Sequence, residues 1–418
     1  MRVLLLSATT GGGHMRAAQA LRDHIMSKDP DSVVEIYDTI QYVSPMLNKA
    51  VTNGYVYMAT KTPRIFGGMY KSTDKNTPFN KSFEAALGGL RKKLQPGIES
   101  FCPDVVVTTH SFATEIAAAL KVKENMHFPL VSILTDFAVH KTYINEGVDA
   151  YVLSSEEMVG QMIERGVHKD MLYPYGIPIN GKFLTKIDRA QAFAEEQLDP
   201  DLPTLLLMAG SFGVTDVLKV YHKIVKSEAD FQIIAITGKN EKLYETFEKY
   251  LSKIDLNNTL YELSEMYPSM KQQKENYRNS RKRKPSKPTR LLYYTDNVEK
   301  YMQMSDLIVT KPGGLTVTEA IATGLPMAIF KAIPGQEVQN ADFLVRNGMA
   351  VKINKDNTCT ETITELLSKP EKLGAMRTAV KNHSNGNSAA KVYALMEKLI
   401  EKYREEDIPQ VKSPSDND

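Results

Sequence analysis

Short apolar runs of strand length alternate with helical stretches along nearly the whole chain, and this rhythm restricts it to a parallel α/β architecture. Strands are predicted at Val3–Ser7, Val33–Tyr37, Asp104–Thr109, Leu130–Thr135 and Ala150–Ser154. The stretch between about Ile177 and Leu202, punctuated by Pro178, Gly181 and Pro200, reads as a boundary. The series restarts with Thr204–Met208, Gln232–Thr237, Arg290–Tyr294, Leu307–Thr310, Met327–Phe330 and Ala350–Ile353. For 418 residues, two open α/β units of similar size are expected. They take residues 1–180 and 200–385, which leaves 386–418 for a C-terminal helix and a disordered tail.

Hydrophobic residues make up 42% of the chain and charged ones 24%, which excludes disordered, collagen-like and disulfide-framed classes. The two cysteines, Cys102 and Cys359, have no metal-ligand spacing, so a reducing cytosol is expected. No run of eighteen apolar residues occurs, and the run Met1–Leu6 is too short for a signal h-region. Net charge is only +2, but it is unevenly spread. Residues 41–100 carry nine Lys/Arg against three Asp/Glu, and residues 271–290 carry nine against one. An otherwise acidic chain with two basic segments is expected to meet something anionic locally, a lipid surface or a nucleic acid. The basic run lacks interleaved aromatics and any recognition motif, so no nucleic-acid partner is expected. Residues 44–100 read as mostly helical, their apolar side chains serving either a core or an interface. The polar, basic segment 264–290 reads either as a solvated insertion or as a lipid contact, each cation contributing about 1 kcal/mol at an anionic leaflet.

Chemistry concentrates where predicted strands end. The first runs into Gly11, Gly12, Gly13 and His14, where glycines permit close backbone approach and His14 stands at the mouth of the turn. The spacing is not that of a dinucleotide fingerprint. Asp136 and His140 follow another strand and either face the same cleft or are satisfied within their loop. In the second half Gly313 and Gly314 open a helix whose free N–H groups would cradle a diphosphate, with Glu319 one turn in for a ribose. Gln336, Glu337 and Asn340 offer amides and a carboxylate suited to sugar hydroxyls. A third glycine turn contains Gly210 and Ser211.

These motifs, together with TDFAVH, GIPI, YTDNVEKYM, KPGGLTVTEA and PGQEVQNADFLVRNG in that order, resemble glycosyltransferase family 28 over roughly residues 1–385. The branch is that of monogalactosyldiacylglycerol synthases and bacterial processive diacylglycerol glucosyltransferases. The resemblance implies a GT-B fold, two Rossmann-like domains facing a central cleft. It implies Gly313, Gly314 and Thr316 on the diphosphate, with Gly210 and Ser211 lining it, and Glu319 on the ribose. It puts Gln336, Glu337 and Asn340 on the hexose or phosphate, and the main chain at Asn297–Val298 on the uracil. His14 becomes the candidate base, oriented by Asp136, with Gly12, Gly13 and His140 on the acceptor side. Two departures stand out: the turn after Met208 reads AGSFG rather than a richer glycine run, and the 264–290 insertion is longer than usual.

The implied reaction is inverting transfer of a hexose from a UDP-sugar, UDP-glucose before UDP-galactose, to diacylglycerol. No metal and no cofactor are expected, because helix N-termini can carry the diphosphate charge and no DxD-type pair stands in these loops. The expected location is cytoplasmic, peripheral on the inner face of the cell membrane, with residues 41–100 facing an anionic lipid surface. The alternatives are a UDP-sugar epimerase of the same fold, a lipid II-type N-acetylglucosaminyltransferase and a non-catalytic UDP-sugar sensor.

Overall fold

The computed structural model describes residues 1–9, 12–46, 62, 67–68, 78–208, 216–266, 285–330, 332–353 and 358–406. Among these described residues twelve strands form two six-stranded sheets, every pairing parallel. The first holds β1 (Arg2–Ser7), β2 (Val33–Asp38), β3 (Val105–Thr108), β4 (Leu130–Ile133), β5 (Ala150–Val152) and β6 (Leu172–Tyr173), in the order β2-β1-β3-β4-β5-β6. The second holds β7 (Thr204–Met208), β8 (Gln232–Ile236), β9 (Thr289–Leu292), β10 (Leu307–Thr310), β11 (Met327–Ile329) and β12 (Ala350–Lys352), in the order β12-β11-β10-β7-β8-β9.

Helices on both faces explain why the central strands are apolar without alternation. Val105, Val106 and Val107 on β3 are fully buried, and so are Leu205, Leu206 and Leu207 on β7. In each sheet the strand order reverses beside the first strand, between β1 and β3 and between β7 and β10. Open α/β sheets bind ligands outside the strand ends at such a reversal. The loops after β1, β3 and β10 therefore matter most.

The helix Ser388–Glu406 does not trail from the second domain. Val392, Leu395, Met396 and Ile400 pack with Val3, Leu5, Ala18, Leu21 and Val105 against the first sheet. Tyr403 donates to Asp149 (2.7 Å), and Lys121 bridges both, 2.6 Å from Asp149 and 2.7 Å from Tyr403. The crossing is fixed where Ser388 donates to the Gly176 carbonyl (2.6 Å) and Asn385 to that of Ser154 (2.9 Å). Gly176 has φ +86°, and a Cβ there would lie 2.8 Å from the Asn385 amide, so glycine alone suits the position. The expected C-terminal segment 386–418 is thus, over its helix, part of the first domain's packing.

Residues 407–418 of the expected tail lie outside the described residues. So do 267–284 of the basic insertion, while the helix Glu241–Met266 runs into its start. Within 41–100 the described part includes the helix Pro78–Phe101.

Met396→Ala removes a fully buried side chain from the seam between the last helix and the first sheet. Urea unfolding should show a loss of about 2–5 kcal/mol, with faster amide exchange in β1.

Candidate active site

The helix Gly13–Lys28 begins at the end of β1 without a side-chain cap, Gly12 taking φ +76° at the turn. This sets His14 in the first turn, over the reversal between β1 and β3. Its Nδ1 lies 2.8 Å from the Thr109 carbonyl and 2.7 Å from the Thr135 hydroxyl. A carbonyl can only accept, so the Thr109 contact is a hydrogen bond only when Nδ1 carries the proton. In the neutral ring Nε2 then keeps its lone pair. Burial pushes His14 below the ordinary 6.5, against the pull of the Asp136 charge and the Thr109 bond. A neutral imidazole of fixed tautomer is the form a general base requires.

His110, at the end of β3, stands edge-on to His14 with ring centroids 4.6 Å apart. Its Nδ1 accepts from the Phe112 N–H (3.1 Å), and burial, reinforced by His14, drives it well below the usual histidine range. It stays uncharged and does not repel a proton arriving at His14.

Asp136 was expected to orient His14; Thr109 and Thr135 make those bonds instead. The carboxylate of Asp136 accepts from the Asn340 amide (2.9 Å) across the domain boundary. Burial raises Asp136 above the ordinary carboxyl range, while Asn340, His14 and His140 pull it down. His140 is itself buried, its Nδ1 2.8 Å from the Thr142 hydroxyl, on the Asp136 side of the site.

Asn340 differs most from its expected role. It is fully buried: Nδ2 donates to Asp136 and to the Pro312 carbonyl (3.0 Å), and Oδ1 accepts from the Phe137 N–H (2.8 Å). With its amide engaged on both sides, it ties the domains together. Beside it Phe137 stacks on Phe343, centroids 4.9 Å apart.

The two glycines after β10 also separate in role. A Cβ on Gly314 would overlap the Thr135 carbonyl oxygen, so this glycine serves domain contact. Nothing lies within 4 Å of the corresponding point on Gly313, which leaves space for a ligand. A Cβ on Gly13, next to His14, would lie 3.5 Å from Leu315, so the starts of the helices Gly13–Lys28 and Gly314–Ala322 are apposed. These two, and Gln336–Arg346 behind Gly335 (φ +113°), all start without a side-chain cap. Their first-turn N–H groups are thus not taken by a capping side chain, a setting that favours anions.

Thr316 is half-buried in the first turn of the helix Gly314–Ala322. Glu319 is buried and pushed up to about 7 by burial and Glu299, against the pull of Arg16. Glu337 accepts from the Ile333 N–H (2.8 Å) and braces its loop, while Gln336 is half-buried beside it. Asn297 is exposed, its N–H on the Thr295 hydroxyl (3.0 Å), and Val298 opens a short helix. Gly210 and Ser211 lie outside the described residues.

Thr109, His110, Thr135 and Arg16 were not singled out from the sequence. Setting β3 beside β1 would have found the first two, since Thr109-His110 then ends the strand next to His14.

His14→Ala should lower turnover by about 10²–10⁴-fold while leaving UDP affinity intact, by initial rates and calorimetry. A base at this position would work deprotonated, so kcat/KM is expected to hold into mildly acidic solution and to fall only below the ordinary 6.5.

Residues 14–179 match the family model described as monogalactosyldiacylglycerol (MGDG) synthase, and residues 245–396 the glycosyltransferase family 28 C-terminal domain. The processive diacylglycerol beta-glucosyltransferase of Bacillus pumilus is 27% identical over 382 residues, 91% of this chain and 90% of that one. Among solved structures, Acinetobacter baumannii MurG aligns with a TM-score of 0.56 at 15% identity, covering 95% of this chain and 99% of its own. UDP-GlcNAc 2-epimerase from Neisseria meningitidis gives 0.56 at 15%, covering 95% and 100%. The likeness to both is one of fold, the GT-B arrangement of two α/β domains. Since one family model takes in His14 and Asp136 and the other Gly313 to Asn340, the chain belongs to glycosyltransferase family 28, in the branch of monogalactosyldiacylglycerol synthases and processive diacylglycerol glucosyltransferases.

Proposed function

We propose that this glycosyltransferase moves glucose from UDP-glucose to 1,2-diacylglycerol with inversion, at the inner face of the cell membrane. The observation that carries the reading is His14, held as a neutral base of one tautomer beside the uncapped start of the helix Gly314–Ala322. The acceptor's primary hydroxyl gives its proton to Nε2 as its oxygen bonds to the anomeric carbon. The bond from that carbon to the diphosphate breaks, and its electron pair leaves on UDP. N–H groups at the start of Gly314–Ala322 receive the growing charge, which makes a metal unnecessary to the step. Direct displacement turns an α-linked donor into a β-glycoside. The Asp136 charge and the Thr109 carbonyl stabilise the imidazolium that forms.

The similarity to the diacylglycerol beta-glucosyltransferase of Bacillus pumilus supports glucose and diacylglycerol as the partners. No helix among the described residues is long and apolar enough to cross a membrane. Met46 is 84% and Tyr42 44% exposed at the edge of the basic 41–100 region, which supports a surface attachment through apolar side chains and cations.

Diacylglycerol in phosphatidylglycerol vesicles, with UDP-glucose or UDP-galactose and EDTA, should yield a β-glucosyl lipid from the first donor. A galactolipid would reassign the donor. No product from either donor, with UDP still bound, would favour an epimerase or a sensor.

Glu319 adds a second test. A ribose diol bound through both hydroxyls prefers the carboxylate, so a group at about 7 must lose its proton on binding. Calorimetry at pH 7 in buffers of different ionisation enthalpy should show release of up to about half a proton per UDP. Equal enthalpies would mean that Glu319 does not meet the ribose.

A further inference from the structure

We infer that Glu157, on the first domain, is a positioning residue for the hexose of the donor, acting through the helix Gln336–Arg346. The inference rests on the reading of Gln336, in the first turn of that helix, as a hexose contact. Gln336, Asn340, Phe343 and Asn347 follow one another at intervals of three and four residues, which puts them on one face. The first domain meets that face at successive levels. Asn340 bonds to Asp136 (2.9 Å) and to the Phe137 N–H (2.8 Å), and one turn on Phe343 stacks on the Phe137 ring, centroids 4.9 Å apart. At the far end both carboxylate oxygens of Glu157 are taken, one by Arg346 Nη2 (2.6 Å) and the other by Asn347 Nδ2 (2.8 Å).

Glu157 opens the helix Glu157–Glu164 after β5, so its place is set by the first sheet. Desolvation works against its charge, but the bonds from Asn347 and Arg346 and the charges of Arg346 and His383 hold it below the ordinary carboxyl range. It therefore accepts at both oxygens, and two bonds on one carboxylate fix a direction as well as a distance. The side chains are exposed, Glu157 by 39% and Arg346 by 60%, so the pair adds little to stability. Its effect is one of leverage. The helix is pinned in its buried middle, from Asn340 to Phe343. Gln336 lies about 6 Å beyond one end of that segment and Arg346 about 5 Å beyond the other, at about 1.5 Å per residue. A slip at Glu157 thus reaches the sugar end almost undiminished and in the opposite sense.

The test is donor calorimetry on the full-length protein, which needs no acceptor. E157A and R346A should each bind UDP as the unaltered protein does and lose about 2–10-fold in affinity for UDP-glucose, the worth of one misplaced hydrogen bond. Turnover in the vesicle assay should fall by at least about tenfold. The charge-exchanged variant E157R/R346E rebuilds the pair and should recover most of both losses, which a merely structural role for either residue would not produce. Q336A is the control for the reading of the hexose contact. If Q336A weakens UDP-glucose relative to UDP while E157A and R346A do not, the inference falls and the hexose reading stands. If none of the three changes that ratio, the hexose reading fails and the inference with it. Equal losses for UDP and UDP-glucose in E157A would also overturn it, since Glu157 would then hold the donor site as a whole.

Discussion

The carbonyl of Thr135 lies against the backbone of Gly314 so closely that no side chain fits between them. That approach joins the end of β4 to the helix start that follows β10, and everything at the cleft is arranged around it. On one side the Thr135 hydroxyl reaches His14; on the other, Gly313 opens onto free space. Asn340 and the stacked pair Phe137 and Phe343 seal the junction. A polar bridge of this kind is costly to leave half-made, because each buried amide needs its partner. The geometry of the site is therefore set by contacts between domains more than by either domain alone.

Much of this could be read from the sequence because parallel sheets are locally legible. Eleven of the twelve strands announce themselves as apolar runs closed by turn residues. The exception is β6, whose two residues, Leu172-Tyr173, are too few to show any pattern. The glycine turns and His14 were visible for the same reason, since ligand sites in such sheets sit where strands end.

What escaped the sequence was pairing at long range. Nothing local says that the Asp136 carboxylate is held by Asn340, more than two hundred residues away. Asn340 looks like a sugar contact by composition, and only its burial shows its amide engaged elsewhere. Gly313 and Gly314 are likewise indistinguishable as letters, yet one faces a carbonyl and the other space. The amphipathic stripe of Ser388–Glu406 predicts a helix but not the domain that receives it.

That last helix has a consequence for how the molecule comes into being. Translation at 5–20 residues per second needs about 10–40 s to pass from the end of the first sheet to the start of the helix that covers one of its faces. Through that interval Val3, Leu5, Ala18 and Leu21 lack the cover that Val392, Leu395 and Met396 supply. The first domain's final layer is thus made last. Binding of acceptor and donor should therefore mature together, with an unfinished chain presenting an apolar face to chaperones in the meantime.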